Sequence, residues 1–275
     1  MTVDGQKRVR AIERSLHEDF SRSILRRFTR ALKDYELIAR GDRIAVCISG
    51  GKDSMLMAKL FQERLSHRRG EFEAVYLVMD PGYSHENRAA IERNAEILGI
   101  PITAFETDIY QSVYNMGDSP CFLCSRMRRG HLYVKARELG CNKIALGHHY
   151  DDIIETILMS MLYGGQVRTM MPKVKSANYE DMELIRPMYY IREADIKAWC
   201  TANDLEFIRC ACRVSASGEG EGASKRAEIK RLIAQLKKVN PQVEGNIFHS
   251  VMNVELNAII ECKFNNERHN FLEFY

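Results

Sequence analysis

No apolar run in this 275-residue chain approaches the roughly 18 residues needed to cross a bilayer. The polar start also lacks the apolar core of a secretory signal. Both absences predict a cytoplasmic protein with no membrane partner. Proline is scarce, at six residues, and there is no internal repeat. With 45% hydrophobic and 28% charged residues, the composition describes an ordinary globular chain with a sizeable core and argues against disorder. An excess of one charge is missing too, since a formal net charge of +3 is too small by itself to demonstrate a polyanionic partner. In a reducing compartment the eight cysteines do not read as a disulfide framework, so clustered ones are better taken as metal ligands or reactive thiols. Cys47, Cys141, Cys200 and Cys262 stand in apolar or helical contexts and read as buried small hydrophobes.

What charge there is crowds the first forty residues: Lys7, Arg8, Arg10, Arg14, Arg22, Arg26, Arg27, Arg30, Lys33 and Arg40. A solvated helix face and a phosphate-contacting surface both remain open for them. Ile12, Leu16, Phe20, Ile24, Phe28, Leu32 and Leu37 recur mostly every fourth residue, the stripe of one long amphipathic helix from Arg8 to about Ile38. Buried strands are predicted at Arg43–Ser49, Ala74–Met79 and Lys143–Leu146. A short strand is expected at Ile102–Glu106, and extended segments at Met170–Val174 and Glu183–Met188. Helices are predicted at Asp53–Arg64, His85–Leu98, Ser125–Leu139, Asp151–Leu162, Glu193–Asn203, Lys225–Val239 and Asn246–Ile260, and a Gly/Ser-rich loop at Ser215–Ser224. Continuous apolar strands alternating with helices give the α/β class, a Rossmann-like parallel sheet with helices on both faces and helical extensions at both termini. The expected organisation is a helical arm over 1–40, the main domain over 41–212, and a loop with terminal helices over 213–275.

Two motifs fall where such sheets place ligands, at strand tips. Ser49-Gly50-Gly51-Lys52-Asp53-Ser54 follows one strand and opens a helix. Its glycines let backbone N–H groups approach an anion, and the helix N-terminus adds about half a positive charge. Ser49 and Ser54 can donate to phosphate oxygens, and Lys52 supplies a full charge. Asp53 suits a magnesium ion bridging phosphates, since hard cations prefer carboxylate oxygen. The spacing and the ending of a Walker loop are both missing. The second motif, Gly147-His148-His149-Tyr150-Asp151-Asp152, also joins a strand to a helix. Read bare, its Asp pair serves equally as a helix N-cap. Met79 and Asp80, at the tip of another strand, stand where a nucleotide would lie, and a turn-forming role fits Asp80 as well.

Cys121 and Cys124 form a chelating pair before a basic helix, and Cys210 and Cys212 form another far downstream. Four thiols suit a closed zinc site, and three suit a four-iron cluster with one iron open. Spacing does not choose between them.

SGGKDS resembles the PP-loop of the ATP pyrophosphatases. Together with PCFLC, LGHHYDD, GGQVRTMMP, RPMYYIRE and a late cysteine, it resembles the tRNA 2-thiocytidine synthetase group and its 2-thiouridine relatives, over about Arg43 to Cys212. The missing zinc-finger pairs at the termini favour the cytidine-type group. The resemblance implies ATP cleaved between its α and β phosphates, with magnesium, so that AMP activates a tRNA base carbonyl that sulfur then replaces. It implies His148, Asp151 and Asp152, beside Gly147, as phosphate or metal contacts. It also implies a [4Fe-4S] cluster held by Cys121, Cys124 and a third thiol, Cys210 in preference to Cys212, with catalysis assigned to Lys52, Asp53 and these thiols. The implied partners are tRNA, a sulfur donor (sulfide, or a cysteine desulfurase or other persulfide carrier) and a second copy of the chain. Arg126, Arg128, Arg129, His131, Lys135, Arg168 and Lys173 are candidate RNA or phosphate contacts, and Tyr83 and Tyr150 candidate stacking residues. Two alternatives stay open: a PP-loop ligase that uses an amine and a structural zinc, and a non-catalytic RNA- or cluster-binding protein.

Overall fold

The computed structural model describes residues 2–67, 70–109, 120–208, 224–273 and 275, with the backbone alone over 120–125. The chain divides into two units, one of residues 1–153 with 171–224 and one of 154–170 with 225–275.

The first unit is built on a six-stranded sheet of order β3-β2-β1-β4-β6-β5. Its strands are β1 Arg43–Ile48, β2 Glu73–Asp80, β3 Ile102–Glu106, β4 Lys143–Ala145, β5 Lys173–Lys175 and β6 Glu183–Ile185. Side chains alternate across β1: Ile44, Val46 and Ile48 enter one core, while Ala45 and Cys47 enter the core on the opposite face. An apolar residue at every position is what a strand covered on both faces requires. The helices of this unit are α1 Val3–His17, α2 Arg26–Asp34, α3 Lys52–His67, α4 His85–Leu98, α5 Pro120–Glu138, the first turn of α6 Tyr150–Gly164, and α7 Glu193–Ala202. Ser84 caps α4 by accepting from Asn87 N–H, and Gly99 ends it in the left-handed conformation.

Within this sheet the neighbouring strands run parallel except β5, which lies antiparallel to β6. The sequence reading of a parallel sheet is corrected at that edge, because the few residues joining β5 to β6 are too short for a crossover helix. Strand order reverses between β1 and β4. In an open α/β sheet, the crevice at the carboxyl ends of such neighbours is the natural ligand seat.

Three further expectations are corrected. The N-terminal stripe is not one helix: α1 ends at His17, a π-helical turn spans Ser21–Leu25, and α2 follows. A spacing of four runs about 40° beyond a full α-helical turn at each step. The wider turn absorbs that drift, keeping Ile12, Leu16, Ile24, Phe28, Leu32 and Leu37 all buried. The basic helix begins at Pro120, so Cys121 and Cys124 occupy its first turn and do not precede it; proline suits that position because its missing N–H would have no partner there. The predicted helix over Asn246–Ile260 is instead α9 Val243–Ser250, a 3-10 turn at Leu256–Ala258, and the start of a hairpin, β7 Glu261–Phe264 with β8 Glu267–Asn270. Asn265 and Asn266 both adopt positive φ at its turn, a conformation asparagine tolerates. The Gly/Ser-rich 215–223 stretch, Cys210 and Cys212 lie outside the described residues.

The second unit holds the rest of α6, then α8 Lys225–Val239, α9 and the hairpin. Within it Glu155, 2% exposed, meets Arg226 at 2.9 Å and Lys230 at 3.6 Å. No helix among the described residues is long and apolar enough to cross a membrane.

Candidate active site

The two motifs meet at the switch point. Ser49 leaves β1, and the loop through Gly51 opens α3 at Lys52. Gly50 has φ +84°, and a Cβ there would lie 2.5 Å from Ile91 Cγ1. Only glycine fits this turn without strain. Gly147 leaves β4, and a Cβ on it would stand 3.1 Å from Ser54 N and 3.2 Å from Asp53 C. The second loop therefore rests backbone to backbone on the N-terminus of α3.

The serines are partly committed to shape. Ser54 Oγ accepts from Ser49 N at 3.1 Å and donates to Gly51 O at 2.9 Å, with Ser49 Oγ at 3.2 Å. Ser54 is thus a loop clasp, which leaves the glycine amides, Lys52 and the helix end as groups able to meet an anion. Lys52 Nζ lies 3.0 Å from Asp53 Oδ1 and 3.2 Å from Glu193 Oε1 at the start of α7. Burial works against its charge, but the two carboxylates outweigh that and hold its pKa above the ordinary lysine value. Glu193 is a site residue that the sequence reading missed. A glutamate opening a helix normally reads as a dipole-favoured first-turn acid, and its link to Lys52 spans about 140 residues.

The Asp pair divides its work. Asp152 Oδ2 accepts from His149 N at 3.0 Å, and His149 Nδ1 accepts from Asp152 N at 3.4 Å, a reciprocal cap on α6. Asp151 accepts from Glu193 N at 2.7 Å and from Arg192 Nη2 at 3.0 Å. It therefore caps α7 from another element. Burial raises its pKa, yet Arg192 and the Glu193 N–H more than compensate and hold it below the usual carboxylate range. His149, 3% exposed, reaches within 3.8 Å of Asp53 Oδ1 through Nε2. His148 follows Gly147 on the same loop.

Asp53 Oδ1 is shielded from solvent and makes no hydrogen bond of good geometry. An inward carboxylate oxygen of this kind fits a hard cation brought with a nucleotide. No preformed set of three metal-ligating side chains exists among the described residues.

Around this centre, Asp80 serves its own turn, accepting from Gly82 N and Tyr83 N at 2.9 and 2.6 Å. Tyr83 Oη donates to Ser49 O at 3.3 Å. The Met79 side chain packs with Ile109 in a small core, which leaves its backbone as the part able to face a nucleotide. Ile208 O lies 3.7 Å from the Cβ position of Gly51, so the chain crosses the phosphate loop two residues before Cys210. The Arg192 guanidinium sits 4.9 Å over the Tyr150 ring.

Several basic candidates are spent on the fold. Arg8 donates to Asn203 O at 2.6 Å, Arg27 pairs with Asp195 at 2.9 Å, and Lys173 donates to Glu36 O at 3.1 Å. Lys135 pairs with Glu138 at 2.8 Å, and in the second unit Arg168 meets Gln166 at 3.4 Å. Arg126 and Arg129 on α5 are exposed. Among the cysteines outside the two pairs, Cys47, Cys141 and Cys200 are buried. Burial pushes the Cys47 thiol up to about 12 and the Cys200 thiol to about 11, so neither ionises readily as a metal ligand must. Cys262, expected to be buried, is only half-buried on β7 and stands alone, so the pairs 121/124 and 210/212 are the thiols at chelating spacing.

The chain is similar to known proteins over most of its length. The PP-loop domain family matches residues 20–212. A tRNA-cytidine(32) 2-sulfurtransferase of Anaeromyxobacter dehalogenans is 36% identical over 236 residues, covering 85% of this chain and 79% of that protein. One of Coxiella burnetii is 36% identical over 242 residues, 87% and 92% of the two chains. The U34-tRNA thiolase NcsA from Methanococcus maripaludis, solved with its [4Fe-4S] cluster, shares the fold at a TM-score of 0.65 and 21% identity, over 86% of this chain and 79% of that one.

Proposed function

Because the chain belongs to the PP-loop domain family and, within it, to the tRNA-cytidine(32) 2-sulfurtransferases, we propose that it replaces the C2 oxygen of cytidine 32 in tRNA by sulfur at the expense of ATP. The observation that carries this reading is the backbone contact of Gly147 on the start of α3, which assembles one anion-binding crevice from two motifs far apart in sequence.

A base carbonyl is a poor leaving group, and adenylation changes that. The carbonyl oxygen attacks the α phosphorus, the bond to the β phosphate breaks, and pyrophosphate departs with the bonding electrons. The amides of Gly50 and Gly51 and the N-terminus of α3 cradle the charge that develops on the phosphates. Lys52, kept cationic by Asp53 and Glu193, adds a full charge, and Asp53 would hold a magnesium ion brought with ATP, which would offset phosphate charge. Sulfide then attacks C2 and AMP leaves, so the carbon changes neither oxidation state nor electron count. Cys121 and Cys124, with Cys210 or Cys212 as third ligand, would hold the [4Fe-4S] cluster, which when bound supplies a Lewis-acidic iron able to take sulfide.

Sulfide is the donor, supplied as such or released by a thiol reductant from the persulfide of a cysteine desulfurase or carrier, with that thiol ending as a disulfide, and the cytoplasm is the compartment. The 1–40 arm, 41–212 domain and 213–275 tail work in a homodimer, supported by apolar residues exposed within the second unit, among them Ile260, Phe264 and Leu272.

The test is nucleoside profiling by mass spectrometry in a deletion strain, complemented with wild type or Lys52→Met. Loss of 2-thiocytidine alone, restored only by wild type, is expected. An unchanged profile refutes the reading. Zinc-loaded, colourless protein after anaerobic purification, with AMP release that depends on an amine, would replace it by the ligase alternative.

A further inference from the structure

The basic residues that crowd the first forty positions do not share one task. On α2, Arg27 pairs with Asp195 at 2.9 Å and Arg30 with Asp34 at 3.1 Å, so both are held by the fold. Arg26 and Lys33 lie two turns apart along one face of the same helix. Both are exposed, and neither meets a carboxylate among the described residues.

Lys33 opens onto a cavity of about 610 Å³ bounded by α2, the segment leading into β1 and the last turns of α3. Arg40 and Arg64 line it as well, Glu71 is the single carboxylate among its lining residues, and Leu32 and Ile38 add apolar surface. Arg40 is exposed and, like Lys33, meets no carboxylate among the described residues. Arg64 Nη2 stands 3.6 Å from Glu71 Oε2, beyond hydrogen-bond length, so its planar fork keeps donors for another acceptor. Three cations around one concave surface, against one acid, concentrate positive potential there. Guanidinium and ammonium donors so placed suit a phosphate group. A phosphodiester also brings a ribose, whose carbons can rest on Leu32 and Ile38; a bare anion would leave that surface uncovered.

Position says which phosphate. α3 runs from Lys52 in the phosphate loop to Arg64 at the cavity, ~18 Å at 1.5 Å per residue. β1 joins the same two ends of the sheet, with Arg40 shortly before its first residue and Ser49 after its last. One nucleotide cannot occupy both places, whereas a strand with a phosphate every ~3.4 Å covers the distance in about five or six steps. We propose that the cavity bounded by Lys33, Arg40 and Arg64 is a second contact for the RNA substrate, holding a backbone phosphate several nucleotides away from the base presented at the crevice. The proposal rests on the RNA reading above. The contact positions the RNA without reading its sequence, and Arg26, farther back on α2, extends the basic path leading to it.

The test uses the full-length protein with an anticodon stem-loop, and with its loop alone as a short oligonucleotide, followed by fluorescence anisotropy across a salt series. The double variant Lys33→Gln/Arg40→Gln is expected to weaken stem-loop binding about tenfold at about 0.1 M salt and to flatten the slope of log K against log salt by about 1 to 2. Affinity for the isolated loop and for a non-hydrolysable ATP analogue should stay unchanged. Tm should stay within about 2 °C, since both side chains are exposed and make no ion pair. Arg30→Gln, which removes a charge from the same helix but away from the cavity, should leave the salt slope as it is. An unaltered slope in the double variant overturns the proposal, and so does an equal loss in Arg30→Gln, which would reduce the effect to general charge. A fall in Tm with parallel loss of ATP-analogue binding assigns the two residues to the fold and overturns it too. Unchanged stem-loop binding, with calorimetry showing lost affinity for inorganic phosphate or for a polyglutamate peptide, makes the cavity a free-anion site or a protein-docking site instead. Stem-loop binding that depends on the cavity in a protein that makes no 2-thiocytidine would leave the contact standing and sink the thiolation reading; normal 2-thiocytidine with an unaltered slope would do the reverse.

Discussion

Gly147→Ala puts the meeting of the two loops to direct test. Gly147 does not need a left-handed backbone, so alanine is conformationally allowed there and the cost is overlap alone. The added Cβ would face Ser54 N at 3.1 Å and Asp53 C and Ser54 Cα each at 3.2 Å. All three are backbone atoms, so no side chain can swing aside, and the loops must part by a few tenths of an ångström. Overpacking of this kind costs about 1–3 kcal/mol, which lowers Tm by about 3–10 °C in a protein of this size. The displaced atoms belong to the turn that would cradle phosphate. If a 1 Å misplacement costs about a hundredfold in rate, a shift of a few tenths costs about three- to tenfold in ATP-dependent AMP release. Gly130→Ala is the control: its Cβ would meet nothing within 4 Å, and Gly130 lies inside α5. It should stabilise by about 0.5–1 kcal/mol. Differential scanning calorimetry and an AMP-release assay read both effects. Wild-type Tm and wild-type turnover in Gly147→Ala would show that the loops do not touch, and the shared crevice would be lost with them.

Asp151→Asn removes the charge that accepts from Arg192 and Glu193 N–H. Because the folded carboxyl lies below its usual value, its stabilisation is complete above about pH 4 and disappears as pH falls through the folded pKa. The variant should therefore lose about 1–3 kcal/mol at neutral pH, with the gap closing in acid; a constant gap in urea titrations across pH 3–7 refutes this. Glu193→Gln takes one of two counter-charges from Lys52, so the KM for ATP should change less than threefold while AMP release slows about tenfold. Equal loss in KM would make Glu193 a binding group only. Cys121→Ser or Cys124→Ser should abolish the brown colour and labile sulfide of anaerobically purified protein, leaving Tm of the apo-protein within about 2 °C; retention of iron would exclude that thiol as a ligand. Tyr83→Phe deletes one long hydrogen bond to Ser49 O, worth about 0.5–1.5 kcal/mol, and should raise the Kd for an ATP analogue by no more than about tenfold. A larger loss would mean that Tyr83 touches the nucleotide.

Elements whose partners lie close in sequence were readable without coordinates. The continuous apolar run Ile44–Ile48 reads as a strand covered on both faces. Ser84 and Gly99 punctuate α4 by local rules, and the glycines of SGGKDS mark an anion-binding turn wherever a strand precedes them and a helix follows. Local rules failed where the pattern was incomplete. A stripe with a spacing of four does not announce the π-turn at Ser21–Leu25. Asn265-Asn266 is a weaker hairpin signal than a glycine pair, and nothing in the run after Ser250 marks the end of α9.

The chain order alone determined that this protein would be an α/β nucleotide-loop protein with two cysteine pairs, because those signals are written in runs and spacings of fewer than ten residues. The tertiary structure decided who holds whom: Asp151 with Arg192 and Glu193, Glu193 with Lys52, Ser54 turned inward as a clasp, and Arg186 buried and donating to Met171 O. The physical reason is that a pairing across some 40 to 140 residues depends on which strand ends the sheet order makes adjacent. A side chain's neighbours follow from that adjacency, not from the residues on either side of it.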